Sequence, residues 1–166
     1  MYRFGIFLQI TFFIVLTAFI SGCSTNPATG ERQFTALMSP QQELLVGAQE
    51  HEKILKVYGA LDADDPVQKY VDQIGQSLAV HSELKDVQYR FTVLDSPIVN
   101  AFALPGGYVY ISRGLLALAN SEAEVAAVLG HEMAHITARH SAERYSHAVL
   151  TSLGASLLSS AIEQPG

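Results

Sequence analysis

The chain has 166 residues, room for one domain with a sizeable core, and carries 10 Lys and Arg against 16 Asp and Glu for a net charge of −6. That acidic balance argues against nucleic acid as a partner and against electrostatic attachment to anionic lipid. Cys23 is the single cysteine, so no intrachain disulfide is available.

Met1-Tyr2-Arg3 is a short basic start, and residues 4–20 form an apolar run whose polar members are Gln9, Thr11 and Thr17. Ile20-Ser21-Gly22-Cys23 follows, small residues ahead of a cleavage point, so residues 1–22 read as a secretory signal. A membrane anchor is the alternative, but the run falls short of the roughly 20 residues that a spanning helix needs. The four residues resemble the lipobox of bacterial lipoproteins, which implies that Cys23 becomes the lipidated first residue of the mature chain. Ser24, in place of an aspartate, resembles the sorting pattern for the outer membrane. The competing reading of Cys23 is a small residue in an ordinary signal. Attachment to a membrane would come from lipid chains and not from surface charge.

Residues 25–32 hold Pro27 and Gly30 among polar side chains, and residues 23–38 are expected to be a tether ahead of a domain spanning 39–166. Ser39-Pro40 opens a helix, with proline at its first position and Gln42 completing a capping box. Leu44, Ala48, His51, Leu55 and Tyr58 share one face of it, and Gly59 ends it. A histidine on such a stripe reads as a packed or interfacial residue, with metal ligation as the alternative. Pro66 opens a second helix with Val67, Tyr70, Val71, Ile74 and Leu78 as its stripe. Val87, Tyr89, Phe91 and Val93 alternate with mostly polar residues, the pattern of a half-buried strand. Asn100-Ala101-Phe102-Ala103-Leu104 and Tyr108-Val109-Tyr110-Ile111-Ser112 flank Pro105-Gly106-Gly107, a hairpin signal.

The next helix carries the chemistry. Ser121 with Glu124 marks its start; Val125, Val128, Leu129, Met133 and Ile136 recur at helical spacing, and no proline interrupts the run through His140. Within it lies His131-Glu132-Met133-Ala134-His135. Histidines four apart stand one turn apart on one face, with Cβ atoms about 5–6 Å from each other. Both imidazoles can therefore reach one zinc ion at about 2.0–2.1 Å. Glu132, displaced by about 100° around the axis, is placed to take a proton from water, which is the logic of the H-E-x-x-H zinc metalloprotease signature. So apolar a helix is expected to be largely buried, and a metal would relieve the cost of burying two histidines and a glutamate. Gly130 is either tolerated or marks close approach of a backbone or substrate.

The longer metzincin pattern is excluded, because it requires glycine at 138 and histidine at 141, where this chain has Ala138 and Ser141. On a continuing helix His140 turns well away from the His131/His135 face and reads as a cation near a helix C-terminus. The third ligand is then expected to be a glutamate on a second helix. Glu143 would lie about 18 Å along a continuous helix from His131, and Glu163 could return only through a helical hairpin. Residues 148–162 are largely apolar, for a buried helix or one that meets lipid. Helices, a small antiparallel sheet and then the metal helix make the fold class α+β.

Asn100-Ala101-Phe102-Ala103-Leu104-Pro105-Gly106-Gly107, Arg113-Gly114-Leu115-Leu116 and Leu129-Gly130-His131-Glu132-Met133-Ala134-His135 together resemble the HtpX/CAAX-prenyl-protease class of gluzincin metallopeptidases, in particular its soluble periplasmic BepA-like branch. The resemblance covers roughly residues 39–147. It implies a gluzincin-like fold, His131 and His135 as zinc ligands, Glu132 as general base, and Asn100, Ala101 and Phe102 in the strand that lines the substrate cleft. It further implies a third ligand in a later E-x-x-x-D block, so the chain is expected to be the N-terminal part of a longer protein. The function expected is a zinc endopeptidase of the bacterial envelope, lipid-anchored at the periplasmic face of the outer membrane and acting on misfolded polypeptides. The alternatives are a non-catalytic chaperone or assembly factor that uses the same groove, and a plain lipoprotein scaffold. Oligomeric state is not legible.

Overall fold

A computed structural model describes residues 23–26 and 30–162; the expected signal segment lies outside them. Strand β1 (Cys23–Thr25) pairs antiparallel with β2 (Arg32–Phe34), placing Cys23 opposite Phe34. Helix α1 (Pro40–Tyr58) begins at the expected capping box. The Gln42 amide N–H donates to Ser39 Oγ at 3.2 Å, and the Ser39 N–H donates to Gln42 Oε1 at 2.7 Å. Helix α2 (Pro66–Ala79) is capped by Asp65, whose carboxylate accepts from the Val67 N–H.

Strands β3 (Arg90–Leu94), β4 (Ala101–Leu104) and β5 (Tyr108–Ser112) form one sheet in the order β3-β5-β4. The hairpin is as expected, with Gly106 and Gly107 at φ 82° and 98°, where a side chain would be strained. The sheet is not purely antiparallel, however: β3 runs parallel to β5. All five residues of β5 are buried, so this strand gains most by taking partners on both sides, whereas half-buried β4 takes the edge.

The sheet has helices on both faces. Val71 and Ile74 of α2, with Val125, Leu129 and Met133 of helix α4 (Glu122–Thr137), pack on Phe91, Val93, Val109 and Ile111. Ile54 and Tyr58 of α1 cover Leu94, Tyr108 and Tyr110 on the other face. A Cβ at Gly47 would collide with the Pro105 carbonyl, so α1 lies tight on the hairpin turn. The outer edge of β3 is closed by a side chain of α2: Gln68 donates to the Phe91 carbonyl and accepts from the Val93 N–H, both at 2.8 Å. This amide, together with the Leu61 N–H that donates to the Val93 carbonyl at 3.0 Å, occupies groups with which a fourth strand would pair. Short α3 (Arg113–Leu116) links β5 to α4.

The run from α4 into α5 (His140–Ile162) is not one helix. Arg139 sits at φ 53° and breaks it, a conformation that costs a non-glycine residue on the order of 1–2 kcal/mol. Its guanidinium offsets that cost. It pairs with the Glu43 carboxylate at 2.9 Å, with the two side chains 19% and 12% exposed, and it donates to the Met38 carbonyl at 2.9 Å. A further contact reaches Thr35 Oγ1 at 3.4 Å. Asn26 Nδ2 reaches the Ala138 carbonyl at 3.4 Å, and the Leu37 N–H donates to the buried Ser146 hydroxyl at 3.3 Å. Of the segment expected to be a tether, the described residues form a short strand pair and a strap packed on the helix break. They supply groups that an interrupted helix leaves without partners. On the other side of the break, buried Thr137 meets the Tyr89 hydroxyl at 3.3 Å, which fixes the last turn of α4 against the start of β3.

Residues 151–156 of α5 are exposed, so this stretch is not the buried helix that its composition suggests. Among the described residues no helix is long and apolar enough to cross a membrane.

Replacing Arg139 with Ala is expected to lower the unfolding free energy in a urea titration by roughly 1.5–3 kcal/mol, the range for hydrogen bonds to a charged group. Arg139→Lys, a point charge in place of a planar fork, should recover less than half of the loss. A change in Arg139→Ala within about 0.5 kcal/mol, as for an ordinary surface site, would show that the contacts hold nothing.

Candidate metal centre

Helix α4 starts where the sequence places it: Ser121 Oγ accepts from the Glu124 N–H at 3.3 Å, and Glu124 Oε2 accepts from the Asn120 N–H at 2.8 Å. Val125, Leu129, Met133 and Ile136 are buried and fix which face meets the core. The motif side chains consequently lie off that face. His131 is exposed, and Glu132 and His135 are half-buried. This corrects the expectation that a buried motif needs a metal to relieve desolvation: the polar side of the helix is open, and burial alone makes no demand there.

The two motif rings do converge. The His131 and His135 centroids are 4.8 Å apart at an interplanar angle of 83°, with one edge to the other's face. His135 also meets His140, with centroids 5.0 Å apart and Nδ1 facing Nδ1 at 2.7 Å. The placement of His140 away from the motif assumed a continuous helix. Because the helix breaks at Arg139, the first residue of α5 swings back to the motif and lies at a helix N-terminus, not a C-terminus.

Burial lowers the pKa of His135 below the usual histidine value. Glu132 opposes that shift, whereas His131, His140 and Arg144 add to it. The ring is thereby favoured in its neutral form, the form that offers a lone pair to a metal. A Cβ built at Gly130 would meet nothing within 4 Å, so among the described residues no other backbone requires that glycine, and the space beside it is open.

Two imidazoles in contact on one face, with a carboxylate between them in sequence, are a donor set that suits zinc. The residues fit the ion as far as two ligands. Among the described residues no group of three His, Cys, Asp or Glu is gathered to hold a metal. Glu143 sits in the first turn of α5 without completing such a group, and Glu163 lies outside the described residues.

Of the residues expected at the cleft, Ala101 packs toward the α4 side of the sheet, whereas Phe102 stacks on Tyr110 at 4.8 Å on the α1 side. The Asn100 N–H donates to Ser112 Oγ at 3.1 Å and its carbonyl accepts from the Ser112 N–H at 3.0 Å, so its backbone is turned to β5. β4 packs beside α4, and among the described residues no strand pairs with its outer edge. His51 is a packed residue, as expected, stacked on Tyr108 at 4.7 Å with Nδ1 at 2.7 Å from the Tyr110 hydroxyl.

Paired histidines on a helix beside a sheet edge, in an α+β chain, are compatible with a metallopeptidase. The family comparison agrees: the chain belongs to peptidase family M48, whose family model matches residues 66–164. It is 33% identical over 120 residues to the mitochondrial metalloendopeptidase OMA1 of Schizosaccharomyces pombe, which covers 71% of this chain and 35% of that protein. It is 34% identical over 123 residues to a putative beta-barrel assembly-enhancing protease of Vibrio cholerae, 70% of this chain and 25% of the relative. It is 30% identical over 159 residues to the beta-barrel assembly-enhancing protease of Escherichia coli K12, 92% and 32% respectively. The chain spans a quarter to about a third of the length of these curated relatives. The resemblance drawn from the motifs is thus borne out at the level of the family.

Proposed function

We propose that the protein is a zinc-dependent metalloendopeptidase of the bacterial envelope, with His131 and His135 as metal ligands and Glu132 as the general base. The observation that carries this reading is the contact between the His131 and His135 rings on α4, beside a strand edge that no described strand pairs with, in a member of a metallopeptidase family. A zinc ion bound there would bring the pKa of a water down to about 7 and polarise a scissile carbonyl.

The chain's own residues supply the rest. The Glu132 carboxylate accepts the proton of the attacking water and returns it to the leaving amine. The outer edge of β4 holds the substrate as an added strand through backbone hydrogen bonds, which read little sequence. Ala101 and Ala103, both small, lie on the α4 side of the sheet. Recognition by backbone suits substrates that expose extended segments, namely misfolded polypeptides.

Lipidation of Cys23 would attach the protein to the periplasmic face of the outer membrane. Because Cys23 pairs with Phe34 in a hairpin that packs on the α4–α5 break, such an anchor would hold the catalytic body close to the membrane with little slack.

Three outcomes are expected in the full-length protein. Glu132→Gln should retain zinc and lose casein hydrolysis by at least about 100-fold, the scale of a lost general base, whereas His135→Ala should lose both. Zinc-loaded Glu132→Gln with wild-type activity would remove Glu132 from the chemistry. The Asn100–Ser112 pair is hydrogen-bonded, so the backbone groups of Ala101 and Ala103 point to the outer edge. Ala103→Pro deletes an outward N–H of β4 and should weaken binding of an extended peptide with zinc content unchanged; undiminished affinity would count against strand addition. Finally, a palmitate analogue fed to cells should label the wild type and not Cys23→Ser, and equal labelling of both would end the lipoprotein assignment.

A further inference from the structure

We infer that His140 is a positioning residue for His135: its Nδ1 accepts the Nδ1–H of His135 and holds that ring in the tautomer whose Nε2 is free to bind a metal. The inference rests on the metal-centre reading above and extends it to a residue outside the five-residue motif.

The geometry leaves few arrangements. The two Nδ1 atoms lie 2.7 Å apart, so one carries the shared proton and the other accepts it. If His140 were the donor, neutral His135 would keep its proton on Nε2 and present its lone pair to His140, away from any metal. With His135 as donor, its Nε2 lone pair is available, and His140 carries its own proton on Nε2. A ligating histidine that donates its second N–H to an orienting acceptor is the usual arrangement at metal sites.

His140 is also held in place well enough to do this. It is half-buried and opens α5, whose first turns are anchored by Ala142 and Ser146, each 0% exposed. The preceding residue, Arg139, is fixed through Glu43 and the Met38 carbonyl. The acceptor is therefore delivered to His135 by the helix break, and a continuous helix would carry it away. Removing an orienting partner of this kind costs about 10–100-fold in metal affinity.

The test uses the full-length protein and zinc competition against a chromophoric chelator. His140→Phe, which has no acceptor, should bind zinc about 10–100-fold more weakly. His140→Gln, which keeps an acceptor oxygen, should recover most of the loss; circular dichroism confirms that both variants are folded. With histidine labelled by 15N, the zinc-loaded wild type should show His135 protonated at Nδ1 and His140 protonated at Nε2. Wild-type affinity in His140→Phe, or the opposite pair of tautomers, would overturn the inference. So would a metal-induced shift on a His140 nitrogen, because it would make His140 a ligand. If His135→Ala itself binds zinc as tightly as wild type, the metal-centre reading fails instead. If His135→Ala loses zinc and His140→Phe does not, only the role of His140 fails.

Discussion

The guanidinium of Arg139 joins parts of the chain that are about a hundred positions apart, pairing with Glu43 on α1 and bonding to the Met38 carbonyl just before it. It does so from a residue in the left-handed region, where a non-glycine backbone needs tertiary contacts to persist. The direction of α5, the position of His140 and the docking of the N-terminal hairpin all follow from that break. A chain that continued helically through Arg139 would keep both motif histidines, but His135 would lose its partner and the hairpin would lose its seat.

The two edges of the sheet are treated differently, and the difference suits a peptidase. At β3 a glutamine of α2 occupies the backbone groups that another strand would use. At β4 no described strand does so, and the motif helix runs alongside. Exposed edges invite pairing and are usually blunted. Here the blunted edge lies away from the motif helix and the open one lies next to it, which places the opportunity for strand addition where cleavage would occur.

Much of this was legible in the sequence because it is local. Ser39 with Gln42, Asp65 with Pro66, and Ser121 with Glu124 announce helix starts through short-range bonding, and Pro105-Gly106-Gly107 announces the hairpin through backbone conformations that side chains disfavour. The H-E-x-x-H spacing carries the pairing of His131 and His135 for the same reason. What escaped was set at long range. The break at Arg139 has no glycine or proline to signal it, and it is stabilised by Glu43 and Met38, far back in the chain. His140 was visible as a residue and misplaced by the assumption of a continuous helix. The central place of β5 between β3 and β4 follows from its being the fully buried strand. Residues 23–38 look like a tether by composition, and the described ones among them pack because Asn26 and the backbone around Met38 meet groups at the break.

The central claim is that His131 and His135 hold a metal on α4. X-ray absorption at the zinc edge of the full-length protein reads the ligands directly. The account predicts two imidazole ligands in a shell at about 2.0–2.1 Å, oxygen donors and no sulfur. A shell with one imidazole or none, or with sulfur, would contradict it.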